Sequence, residues 1–130
     1  MNDTVKIMYV DDEADIRTIV QFSLEDEDDF ELSICASGQE ALETVGRFRP
    51  DLVLLDVMMP HMDGPTTLKR LHELPDFAHL PVVFVTAKIQ PQEVSQFKAM
   101  GAVDVIAKPF DPMRLAENIR QIWKGLQHGR

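Results

Sequence analysis

Five short apolar runs, each followed by a stretch with helical periodicity, restrict this chain more than any other feature. The runs are KIMYV (Lys6 to Val10), FELSIC (Phe30 to Cys35), LVLL (Leu52 to Leu55), VVFV (Val82 to Val85) and VDVIA (Val103 to Ala107). Strict strand–helix alternation predicts right-handed crossovers and a parallel sheet covered by helices on both faces. The third and fourth runs are almost wholly apolar, as expected of strands at the sheet centre. In the first helix Ile16, Ile19, Val20 and Leu24 share a face, and in the second Ala41, Leu42, Val45 and Phe48 do so behind a Ser37/Glu40 capping box. The third helix follows Gly64 and Pro65 and rests on Leu68 and Leu71. The fourth starts at Pro91, carries the stripe Val94, Phe97, Met100 and ends at Gly101. Leu115, Ile119, Ile122 and Leu126 define the fifth, and the tail from Gln127 to Arg130 is expected to fray.

A chain of 130 residues fits one domain, with a core from about residue 4 to residue 125 and no output domain after the fifth helix. The lone cysteine, Cys35, cannot form an internal disulfide and sits in an apolar segment, which suggests a reducing cytoplasmic setting. No charged leader precedes an apolar block, and no run approaches the ~18 residues of a membrane span. The formal charge of -9, from 22 acidic against 13 basic residues, argues against direct nucleic-acid binding and favours proteins or cations as partners. The acidic run Glu25 to Asp29 is expected to be a solvated turn.

In open parallel sheets, function collects outside the carboxyl ends of the strands. The residues that follow the strands are Asp11 and Asp12, then Asp56, Thr86 and Lys108. Singly each has an ordinary role: Asp12 can cap the first helix, Thr86 can bond its own backbone, and Lys108 can be a solvated edge charge. Together they crowd three carboxylates and one ammonium into a crevice. Two carboxylates about 4 Å apart repel by about 4 kcal/mol at an effective dielectric near 20. Lys108 offsets part of that, and a hard divalent cation suits the rest. His61, His72, His79 and His128 show no metal-ligand spacing, so an all-oxygen Mg²⁺ site is favoured over zinc. A carboxylate, a hard cation, a lysine and a hydroxyl are the parts needed to move a phosphoryl group onto Asp56.

The segments VDD (Val10 to Asp12), LLDVMMPHMDG (Leu54 to Gly64), VTA (Val85 to Ala87) and KPF (Lys108 to Phe110) resemble the receiver domains of two-component response regulators, across nearly the whole chain. The resemblance implies a flavodoxin-like five-stranded sheet of order 2-1-3-4-5 with five surrounding helices. It implies that Asp56 takes a phosphoryl group from a histidine kinase or histidine phosphotransfer protein. Asp12, Asp56 and the backbone carbonyl of Met58 would bind Mg²⁺, with Asp11 helping through water. Thr86 would grip a phosphoryl oxygen, Lys108 would pair with the group, and the bond to Pro109 would be cis. Such a domain is a switch, not an enzyme, although it assists its own phosphorylation and dephosphorylation. A downstream protein and a phosphorylation-linked homodimer are its expected outputs.

Val105 departs from the pattern, because many receivers carry an aromatic three positions before the lysine that turns inward with the threonine. A valine has no ring to swing, so output is expected to run through the loop from Thr86 to Gln90. Lys88 and Met58 flank the phosphoryl position and are candidates for restricting hydrolytic water. Met58, Met59 and Met62 are read as adaptable loop packing in preference to a copper site. Two other classes compete: a pseudo-receiver interaction module acting without phosphorylation, which usually lacks acidic or lysine residues present here, and an aspartyl phosphatase or mutase. The latter wants a second Asp two residues after the nucleophile, where Met58 stands.

Overall fold

The computed structural model describes residues 4–128. Strands β1 (Val5–Val10), β2 (Phe30–Cys35), β3 (Leu52–Asp56), β4 (Val82–Thr86) and β5 (Asp104–Ala107) alternate with helices α1 (Ala14–Leu24), α2 (Gly38–Phe48), α3 (Gly64–Glu73), α4 (Pro91–Ala99) and α5 (Leu115–His128). A 3-10 turn spans Pro75–Phe77. All neighbouring strands are parallel, in the order β2-β1-β3-β4-β5. This is the doubly wound flavodoxin-like arrangement expected. No helix among the described residues is long and apolar enough to cross a membrane.

Side-chain alternation divides the core into two layers. Met8, Val10, Val53, Leu55, Val82 and Phe84 face Ala41, Val45, Leu68, Leu71 and Phe97 of α2, α3 and α4. Ile7, Tyr9, Leu52, Leu54, Val83 and Val85 face Val20, Leu24, Leu115 and Ile119 of α1 and α5. Every residue of β3 and β4 is buried, and each fully buried large aliphatic contributes about 1.5–3 kcal/mol of transfer free energy. That burial explains the unbroken apolar runs. Residues on both sides of a central strand meet protein, so neither face can be polar.

Helix ends follow local chemistry. Ser37 Oγ accepts from Glu40 N at 3.0 Å, but Glu40 Oε1 reaches the Ala36 N–H at 2.7 Å, one residue short of a reciprocal capping box. Asp63 Oδ1 accepts from Thr66 N at 2.9 Å and starts α3 ahead of Pro65. Glu93 Oε1 accepts from Gln90 N at 3.2 Å at the start of α4. Beyond that helix Gly101 has φ 116°, the left-handed region that favours glycine.

Several expectations need correction. Asp56 and Thr86 are the last residues of β3 and β4, whereas Val103 precedes β5. Ile19 points away from the core and is exposed. The stripe on α4 reduces to one buried residue, Phe97, whose ring meets Phe84 edge-on at 5.1 Å; Val94 is half-buried and Met100 is exposed. A helix lying across a sheet edge needs only that narrow contact, so periodicity overstated its inner face. Gln127 and His128 continue α5, while Gly129 and Arg130 lie outside the described residues.

The acidic run is not simply solvated. Arg120 of α5 makes a fork with Asp29, through Nε at 2.8 Å and Nη2 at 2.9 Å, and its Nη2 also binds Glu27. The guanidinium stacks over Phe30 at 5.2 Å. These contacts hold the Asp29 carboxyl below the usual carboxylate range, with the Arg120 hydrogen bonds as the main cause. They tie the last helix to the start of β2.

Candidate functional site

Four strands, β1, β3, β4 and β5, deliver side chains to one end of the sheet. Asp11 follows β1 directly, and its N–H still bonds Cys35 O at 3.1 Å, so the residue is held by the sheet although outside the strand. It is fully buried and its carboxylate is heavily engaged. Tyr9 donates its hydroxyl to Oδ2 at 2.8 Å, Lys108 Nζ donates to the same oxygen at 3.0 Å, and Glu13 N donates to Oδ1 at 2.9 Å. Arg17 Nη1 reaches the Asp11 carbonyl at 2.9 Å. Asp12 is exposed, and it does not cap α1: the N-cap position is Glu13, without a side-chain cap bond.

Asp56 ends β3 in register with Val85 and is only 3% exposed. The chain turns sharply after it, and Gly64 closes the turn by donating its N–H to Val57 O at 2.9 Å. A Cβ on Gly64 would lie 2.6 Å from Asp56 O and 2.8 Å from Val57 Cα. Only glycine allows α3 to start so close behind the acidic residue.

Thr86 ends β4 in register with Ala107. Its Oγ1 accepts from Lys88 N at 3.0 Å, the local bond that its ordinary reading anticipated, which leaves the hydroxyl proton available to an acceptor in the crevice. Lys108 N bonds Thr86 O at 2.9 Å, and the Lys108–Pro109 peptide is cis. Lys108 is no solvated edge charge: its ammonium lies 2.8 Å from Glu13 Oε1, 3.0 Å from Asp11 Oδ2 and 3.5 Å from Asp56 Oδ1.

The electrostatics follow from this crowding. Burial first, and then the negative charge of Asp11, push the Asp56 carboxyl up to about 6, with Lys108 countering only in part. Burial pulls the Lys108 amine down, but hydrogen bonds and charge from Glu13, Asp11 and Asp56 outweigh it and leave the group above its ordinary value. The Tyr9 phenol is raised by burial and by the adjacent Asp11, so it keeps its proton.

Asp11, Asp12 and Asp56 each offer a carboxylate oxygen, and these atoms all lie within 4.8 Å of one another. The set is all oxygen, with no thiolate or imidazole, and so fits a hard divalent cation such as Mg²⁺. The five residues anticipated at the strand ends therefore do converge. Around them, Met58, Ala87, Lys88 and Pro109 are exposed, and Val105 is half-buried against the α4 side of the core. Sequence reasoning passed over Tyr9 and Glu13, and read Gly64 only as the lead-in to the third helix and the end of a motif. Tyr9 had a legible signal, since residues two apart on a strand share a face and Asp11 stands two positions on.

Fold and crevice together define a doubly wound α/β domain with an acidic cluster at its strand ends whose oxygens fit a divalent cation. Residues 7–120 match the family model for the response regulator receiver domain, and the chain belongs to that family. It is 37% identical over 122 residues to the response regulator Rre1 of Synechocystis sp., covering 94% of this chain and 53% of that protein. It is 35% identical over 115 residues to an uncharacterized 14.6 kDa protein of Leptolyngbya boryana, covering 88% and 87% of the two chains. Among solved structures, the chemotaxis response regulator CheY4 of Vibrio cholerae superposes with a TM-score of 0.84 at 30% identity, covering 92% of this chain and 98% of that one. The chain thus spans about half of Rre1 and nearly all of CheY4. As a receiver domain it is a signalling switch, and no observation favours a pseudo-receiver.

Proposed function

We propose that Asp56 is the phosphoacceptor, taking its phosphoryl group from a phosphohistidine on a histidine kinase or phosphotransfer protein. The observation that carries this reading is the buried Asp56 carboxylate with the Lys108 ammonium 3.5 Å from its Oδ1. An Asp56 oxygen attacks phosphorus, the phosphorus–nitrogen bond breaks, and the imidazole leaves with the electron pair and picks up a proton. Lys108 turns from its carboxylate partners toward a phosphoryl oxygen, and Thr86 donates its hydroxyl proton to another. Asp12, Asp56 and the Met58 carbonyl would hold Mg²⁺, with Asp11 acting through water. The cation supplies charge neutralisation for the transferring group.

With valine at position 105, the readout runs through the Thr86–Gln90 loop. Transfer of the Thr86 hydroxyl toward phosphate weakens its tie to Lys88 N and shifts the entry to α4, a helix with Phe97 as its one buried residue. The output is a changed protein contact, with a downstream target or a second copy of the chain, in the cytoplasm. Met58 and Lys88 border the water's route to the phosphoryl group and set its lifetime.

Intact mass after treatment with acetyl phosphate tests the reading. Wild type should gain one phosphoryl group only with Mg²⁺, and Asp56→Asn should gain none. Unmodified wild type in the presence of Mg²⁺ would overturn it.

A further inference from the structure

Tyr9 occupies a core position that a phenylalanine would fill equally well by shape. Its ring is fully buried among Val20, Leu54 and Ile119 on the α1 and α5 side of the sheet. Its hydroxyl nevertheless leaves the core and ends 2.8 Å from Asp11 Oδ2. A carboxylate has about four acceptor positions, two on each oxygen. On Asp11, Oδ2 takes Tyr9 and Lys108 while Oδ1 takes Glu13 N, which leaves one position, on Oδ1.

The three donors differ in permanence. Lys108 is on a flexible stem and is shared with Glu13 and Asp56, and under the proposed function it departs to a phosphoryl oxygen. The Glu13 amide fixes one oxygen but leaves rotation about that bond. Tyr9 is held by a strand at one end and by a packed ring throughout. It is the donor to Oδ2 that stays when the ammonium leaves.

We infer that Tyr9 is a positioning residue for the cation site: its hydroxyl locks the Asp11 carboxylate, keeping the remaining Oδ1 position turned toward the cluster with Asp12 and Asp56. The inference rests on the proposed reading of that cluster as a Mg²⁺ site. Residues that orient a metal's carboxylates from behind typically change affinity by about 10–100-fold when removed. A core tyrosine that merely satisfies its own hydroxyl would change stability alone.

The test is Mg²⁺ affinity by titration calorimetry on wild type, Tyr9→Phe, Asp11→Asn and the double variant, beside urea unfolding of each. Tyr9→Phe is expected to bind Mg²⁺ about tenfold more weakly than wild type. In the Asp11→Asn background the same change should alter affinity less than about twofold, because the hydroxyl acts through Asp11. Equal affinity of Tyr9→Phe and wild type, or an undiminished effect without Asp11, overturns the inference. Tyr9 is the only tyrosine in the chain, so fluorotyrosine labelling gives one fluorine resonance. That resonance should shift saturably with Mg²⁺ even if the phenylalanine variant fails to fold, and constancy through saturation counts against the role. Should wild type bind Mg²⁺ yet resist acetyl phosphate, the phosphoacceptor reading fails while Tyr9 is still decided. If wild type binds no Mg²⁺, both fall.

Discussion

Asp56→Asn should make the domain more stable, and only above mildly acidic pH. Folding moves this carboxyl from an ordinary value of 3.8 to about 6, chiefly by burial and by Asp11. The native state therefore holds a proton in that interval which the unfolded chain has released. Stability must fall as pH rises from near 4 to above 6, because proton uptake on folding makes the slope of unfolding free energy with pH negative. Integrated over the interval from 3.8 to about 6, the loss is about 3 kcal/mol at neutral pH. Asparagine imitates the protonated acid, so the variant should recover about that amount at pH 7.5 and about nothing below pH 4. Urea unfolding in EDTA from pH 3.5 to 8 reads the difference directly, since the surface exposed on unfolding is unchanged and the slopes should match. A gain of the same size at both ends of the range would show that the effect is packing, not charge. No gain at neutral pH would mean that Lys108 already neutralises the pocket.

The same strain predicts that Mg²⁺ raises the urea midpoint of wild type far more than that of Asp56→Asn; equal shifts would place the cation elsewhere. Gly64→Ala should lose about 1–3 kcal/mol by forcing a methyl against the Asp56 carbonyl and Val57 Cα. It should also slow labelling by acetyl phosphate, and an unimpaired variant would refute the close-approach argument. Arg120→Ala should destabilise by about 1 kcal/mol in low salt and less at high ionic strength. A loss insensitive to salt would assign its role to stacking on Phe30. Beryllofluoride should shift the amide resonances from Lys88 to Met100, and silence there would end the proposal that the loop after Thr86 carries the signal.

The strand–helix order and the strand-end residues were legible because a parallel sheet buried on both faces imposes an unmistakable pattern, and because Asp56 interrupts it at its edge. What escaped was set by neighbours distant in sequence. Arg120 and Asp29, 91 positions apart, are brought together only when Arg120 of α5 reaches the turn before β2, so the acidic run looked solvated when read alone. Ile19 and Met100 fit helical spacing, yet spacing cannot say how wide a face a neighbour covers. Glu13 drew no notice in the sequence, and only the position of Lys108 gives it a partner. At the helix starts, Ser37 and Glu40 lie in the right order for a reciprocal cap, but the glutamate bonds one residue earlier.

Asp11 and Lys108 stand 97 positions apart and meet only because β1, inside the sheet, and β5, at its edge, end on the same side of one assembled sheet. A chain emerging from the ribosome presents Asp56 long before Lys108, the ammonium that completes the crevice. Under the proposed function, half-made or clipped molecules lack that ammonium and stay mute, so competence to receive a signal doubles as a certificate that folding has run to its end.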